Sequence, residues 1–184
     1  MKKLLNVFEK DNLTLNNSIS ALILIAVISG VFGFIYEEIF YYIDLGYLVK
    51  RGSTYGPLIP IYFFGGFFIT LLTYRFKDKP IKVLLLNVLI TGTLEFLTGY
   101  VLLKAFNLRL WDYNNEIWNF GNIDGFICLR SVVFFGISSL LLIYVIVPLV
   151  IKLFKKYNDK NLRIISYILL CITFIDIIMH MIFN

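Results

Sequence analysis

Long runs without a charged residue constrain this chain more than anything else in it. The sequence is charge-free from Asn12 to Tyr36, from Gly52 to Tyr74 and from Ser131 to Ile151. Two further apolar runs are interrupted only by Glu95 (Val83–Leu103) and by Asp176 and His180 (Ile164–Phe183). A helix crossing hydrocarbon needs about 20 mostly apolar residues, so the reading is five spans. Composition agrees, with 59% hydrophobic and 16% charged residues, against roughly 45–50% and 25% in an average globular chain. A soluble domain of this length could not hide so much apolar side chain, and disorder requires the opposite composition. The expected fold class is an all-α, polytopic membrane helical bundle.

The cations set its orientation. Five spans place the N-terminal segment, the second loop and the fourth loop on one side. Those carry Lys2, Lys3 and Lys10, then Arg75, Lys77, Lys79 and Lys82, then Lys152, Lys155, Lys156, Lys160 and Arg163. The other side holds Lys50, Arg51, Lys104, Arg109 and Arg130. Positive charge collects on the cytoplasmic side, so the N-terminus is expected inside and the C-terminus outside. The net charge of +5 is then a matter of topology, and no nucleic-acid surface is needed. Residues 1–16 read as a cytoplasmic lead-in and residues 17–184 as one transmembrane domain. The first apolar run is too long for a signal-peptide h-region and no small-residue cleavage site ends it. Cys128 and Cys171 fall at different depths, which argues against a disulfide between them.

Polar residues gather towards the outer side. The inner loops are short and read as plain connectors. The outer loops mix charges, glycines and aromatics, including Glu37, Arg51, Tyr55, Arg109, Trp111, Asp112, Tyr113 and Arg130. In the stretch RGSTYGPLIPIY, Gly56 and Pro57 are expected to open the second span, with Pro60 loosening its first turn. The plainer reading is a helix start with snorkelling cations; the alternative is an anion site at the free N–H groups beside Lys50 and Arg51. Glu95 is more informative. It lies about 18 Å into its span from Val83 at 1.5 Å per residue, where a carboxylate costs at least about 2.5–3.5 kcal/mol. It must be protonated, paired or facing a wet cavity, and Arg51, Arg109 and Arg130 are candidate partners. Asp176 and His180, spaced i,i+4, share a helix face. They read most simply as a carboxylate orienting an imidazole or pairing with an outer arginine; two residues do not define a metal site. Cys128 next to Arg130 could be a reactive thiolate, but no partner base is recognisable. Most outer tyrosines fit an interfacial aromatic belt, and Ser29 with Gly33 suits close helix contact.

The segments GSTYGPLIPIYFFGG, TLEFLTGYVLLKAFNLRLWDY and GFICLRSVVFFG resemble, in that order, the ABC-transporter type IV (CmpB-like) family of small bacterial membrane proteins. The resemblance runs from about Gly30 to Ile151, leaving Asp176 and His180 beyond it. It marks Glu37, Gly56, Pro57, Pro60, Tyr62, Gly65, Glu95, Arg109, Trp111, Asp112, Tyr113, Gly125, Cys128 and Ser131. Where members often carry a cysteine before the second proline of the first motif, this chain has Leu58 and Ile59. The common His-Pro of the last shared span is Val147–Pro148 here. The resemblance implies a multi-pass plasma-membrane protein, a permease-like component that moves or binds a small solute; the residues suggest for it an outer-half polar cavity lined by Glu95, Arg109, Asp112 and Arg130. The chain carries no G-x-x-x-x-G-K-[ST] motif, so an ABC ATPase would be a separate partner, and the short inner loops offer it little surface. Two other readings stand beside this one: an enzyme acting on a lipid or isoprenoid headgroup at the outer leaflet, and an accessory or sensor subunit. No cofactor is expected.

Overall fold

The computed structural model describes residues 5–157 and 159–183. The expectation that Lys2 and Lys3 lie on the inner side therefore falls outside the described residues. The described chain is an all-α bundle of α1 (Leu15–Leu45), α2 (Pro60–Thr73), α3 (Pro80–Phe106), α4 (Leu129–Lys156) and α5 (Asp159–Phe183). Within α4 the segment Leu142–Ile146 is a π-helical turn. By the cation distribution, the end carrying residues 37–59 and 107–130 is the outer end.

Four of these helices are long and apolar enough to cross a membrane: α1, α3, α4 and α5. The second run differs from its expected form. It gives only 14 helical residues, about 21 Å at 1.5 Å per residue, against hydrocarbon about 30 Å thick. Pro60, not Gly56–Pro57, is the first helical residue. The reason is local. Proline disfavours the α conformation in the residue before it, and Ile59 is extended, with φ −111° and ψ 120°. The apolar stretch upstream folds back against α1 instead of joining the helix. Ile59 N–H donates to the Gly30 carbonyl at 3.1 Å, so this segment reaches the middle of α1. The contact needs missing side chains. A Cβ on Gly30 would lie 2.6 Å from Leu58 Cγ, one on Gly33 2.1 Å from Tyr62 Cγ, and one on Gly66 2.1 Å from Ser29 Oγ. Ser29 and Gly33 thus form the close α1–α2 contact that their spacing suggests.

Irregular backbone at membrane depth needs protein partners for its polar groups. The Thr54 hydroxyl donates to the Leu58 carbonyl. Asp176 on α5 accepts from Tyr55 N–H at 2.8 Å and from Gly56 N–H at 2.9 Å. So the anion at these amides is one of the chain's own carboxylates. Among the described residues Asp176 makes no ion pair with an outer arginine, and no cluster of three metal-ligating side chains occurs. His180 instead places its ring 5.3 Å from that of Tyr55.

The described part of the lead-in is folded onto the bundle. Phe8 is fully buried and meets the Tyr74 ring edge-on at 5.0 Å, while Lys77 pairs with Asp11 at 2.9 Å. Burial pushes the Tyr74 phenol above its ordinary value, against the opposing pull of Lys77. Of the two free cysteines, Cys128 is buried and Cys171 is exposed on the bundle surface.

Candidate functional site

Helix α3 shows how the bundle inverts the polarity of a soluble fold. Its buried residues are Val83, Asn87, Thr91, Glu95 and Gly99, one at every fourth position. Ile81, Leu85, Leu89 and Leu97 face outward. A 3.6-residue repeat places i,i+4 positions on one face, and lipid takes the apolar remainder. The last polar side chain of the stripe is Glu95, which is 3% exposed.

The partners of Glu95 are hydroxyls. Tyr113 donates to one carboxylate oxygen and Ser131 lies 2.9 Å from the other. No ion pair among the described residues includes Glu95. The arginines expected to supply one are committed elsewhere. Arg51 pairs with Glu37 at 3.5 Å, its guanidinium sits 3.7 Å over the Tyr41 ring, and its backbone N–H donates to Glu38 at 2.8 Å. Arg130 pairs with Glu116 and lies 4.1 Å over the Phe40 ring, where its Nε and Nη1 make no hydrogen bond. Arg109 pairs with Asp112 at 2.9 Å and donates to the Asp124 carbonyl.

The outer hairpin between α3 and α4 delivers Tyr113 to Glu95. Asn107 ends α3 in the left-handed conformation with φ 52°, which asparagine tolerates better than most residues. Asp112 caps a short 3₁₀ turn at Tyr113–Asn115 by accepting from Asn114 N–H. Tyr113 N–H donates to the Gly125 carbonyl at 3.1 Å and Trp111 Nε1–H to the Phe126 carbonyl at 3.0 Å. Gly125 has φ +75°, and a Cβ there would lie 2.2 Å from Asp112 Oδ1, so this turn requires glycine on both counts. Arg109, Trp111 and Asp112 therefore build the hairpin that holds Tyr113, and do not themselves touch Glu95. Burial, reinforced by the neighbouring Glu95, pushes the Tyr113 phenol well above its ordinary value. It remains a donor.

At the start of α4, Cys128 is the N-cap residue. Its N–H lies 3.3 Å from Ser131 Oγ in a reciprocal capping box. Its buried side chain accepts from the Ser131 backbone N–H, the reciprocal half of the cap. Ser131 joins this cap to Glu95. Gly56 and Pro57 lie in the back-folded segment, and Pro60 starts α2. Tyr62, two residues further on, packs at Gly33 with its ring 5.1 Å from Phe135.

Immediately inward of Glu95 lies a cavity of about 80 Å³ bounded by α1, α2, α3 and α4. Its wall includes Tyr62, Gly65, Thr91, Glu95, Phe135 and Ser139. Gly65 borders open space: nothing lies within 4 Å of where its Cβ would be. The cavity thus sits below the outer charge network, not within it. Of its polar residues, the sequence reading marks Ser29 only for helix packing and does not mark Thr91, Ser138 or Ser139. Thr91 was detectable, since it stands one turn before Glu95 on the same face. Glu116 and Tyr41, which donates to Glu116, were also missed, because outer tyrosines fit an aromatic belt equally well.

A second hollow, of about 560 Å³, opens on the inner end between Tyr74, Lys77, Asp78, Tyr144, Lys152 and Lys155. Neither it nor the folded lead-in is apparent from the shortness of the inner loops.

The family model described as "Putative ABC-transporter type IV" matches residues 24–181. The match extends well past Ile151, so Asp176 and His180 fall inside it. No curated protein and no solved structure matches the chain.

Proposed function

The chain belongs to the ABC-transporter type IV family, and on that premise we propose that it is the membrane-embedded component of a transport system for a small solute. The solute is held in the cavity inward of Glu95. One observation carries this reading: a buried carboxylate without an ion-pair partner lines a hollow enclosed by four helices. Ionisable groups inside a bilayer are expensive, and commonly mark solute or ion pathways. The outer network acts as a closure over the cavity. Arg51 and Arg130 hold Glu37 and Glu116, while the hairpin fixes Tyr113 on Glu95.

Energy would come from a separate ATPase chain. The inner hollow between Lys77, Lys152 and Lys155 supports this, as it gives such a partner a concave surface carrying both charge signs. Vesicles containing the full chain with its ATPase should take up a labelled solute from a mixed panel of amines, carboxylates and sugars. Uptake should be lost in Glu95→Gln and in Gly65→Leu, which fills the cavity without touching the outer network. Wild-type uptake in both variants would overturn the proposal.

A further inference from the structure

We propose that the cavity beneath Glu95 is selective for a small organic cation, a short alkylammonium. The inference rests on the transport reading for its biological setting, but on the wall chemistry for its content.

A hydroxyl has one proton to donate and two lone pairs to accept with. Three hydroxyls of this wall have spent their protons. Ser29 donates to the Ile25 carbonyl at 2.8 Å, Thr91 to the Asn87 carbonyl at 2.8 Å and Ser139 to the Gly136 carbonyl at 2.6 Å. Each of these three oxygens keeps only lone pairs for a guest. Glu95 adds a carboxylate, which accepts only. With Ser138 the one further serine on the wall, acceptors outnumber donors there, and the wall suits a guest that donates protons or carries positive charge.

The rest of the wall decides between kinds of cation. It is mostly carbon, from residues such as Ile28, Phe32, Ile61 and Leu94. The rings of Tyr62 and Phe135 both border it, and aromatic faces attract ammonium groups. A bare metal ion prefers a shell of six or more oxygens, and no cluster of three acidic, histidine or cysteine side chains occurs among the described residues. An anion would meet lone pairs and a carboxylate. A neutral apolar guest would leave Glu95 unpaired. The organic cation alone answers both the charge and the carbon.

The test uses the purified full chain in lipid nanodiscs with ethylammonium, a guest scaled to a cavity of about 80 Å³, read by calorimetry. Its neutral isostere ethanol, acetate and sodium chloride are the comparison probes. Ethylammonium should bind wild type, with the neutral isostere at least tenfold weaker, acetate silent and sodium a poor competitor. Glu95→Gln should weaken cation binding at least tenfold. Gly65→Leu should abolish it while leaving the Glu95 contacts intact; melting curves check that both variants are folded. No binding to wild type, equal binding of the neutral isostere, unchanged binding in folded Glu95→Gln, or displacement by sodium at equal concentration would each overturn the proposal. The two readings separate cleanly. Glu95-dependent uptake of an anion or sugar would keep the transport role and remove the cation. Glu95-dependent binding of the ammonium without uptake of any solute would do the reverse.

Discussion

Replacing Asp176 by asparagine tests whether α5 holds the back-folded segment in place. The substitution preserves side-chain size and removes one of two acceptor oxygens. Those oxygens now take the N–H groups of Tyr55 and Gly56 at 2.8 and 2.9 Å. A hydrogen bond to a charged group contributes about 1.5–3 kcal/mol, and a buried donor left without a partner costs about 1–3 kcal/mol. Tyr55 is 52% exposed, so water replaces much of what its amide would lose. The Gly56 N–H is the less accessible of the two. An asparagine can turn its carbonyl to one amide only, and its NH₂ then faces the other. The net loss for the segment is about 2 kcal/mol, which raises its local opening roughly 30-fold. Hydrogen exchange on the purified protein in nanodiscs should show that acceleration in peptides covering residues 52–59. Peptides from the middle of α3 should be unaffected. Asp176→Ala, which leaves both amides bare, should open the segment further still. Unchanged exchange at residues 52–59 in both variants would refute the clamp.

Other substitutions probe the packing and the outer network. Gly33→Ala puts a Cβ 2.1 Å from Tyr62 Cγ; overpacking of this kind costs about 1–3 kcal/mol, seen as a lower melting temperature in micelles. Arg130→Ala strips the partner from Glu116, whose side chain is 7% exposed, and should destabilise by about 3 kcal/mol. The double change Arg130→Met with Glu116→Leu should recover most of that loss, because no buried charge is then left alone; equal melting of the single and double variants would count against the pair. The raised phenol of Tyr113 has a sign that can be checked. A folded value above the unfolded one, near 10, means its contribution is complete below pH 10 and is lost as pH rises further. Melting temperature should therefore fall at alkaline pH, and Tyr113→Phe should fall less steeply than wild type.

How much of this was legible in the sequence depends on what each interaction needs. Charge-free runs announce helices because hydrocarbon offers no other partner for the backbone. That logic recovers α1, α3, α4 and α5, but it overstates the second run. Apolar character at Gly52–Ile59 reflects depth, and there Pro57 and Pro60 outweigh it, since neither can donate to a continuing helix. The carboxylate clamp that makes such a fold-back tolerable lies on α5, 120 residues from Gly56, and nothing local to either stretch points to the other. Glu95 stood out from its own sequence position, yet its partners did not. Charge alone favoured arginine, and the outer end has both arginines and other acids to absorb them. Glu37 takes Arg51 and Glu116 takes Arg130, because α1 and the hairpin bring those pairs together at the rim. Glu95 is set deeper, where only Tyr113 and Ser131 reach it. With Asp112 holding Arg109, four of the outer carboxylates compete for three guanidinium groups, and depth decides which goes without. The unpaired acid is then the one beside the cavity, where a positive guest can complete it.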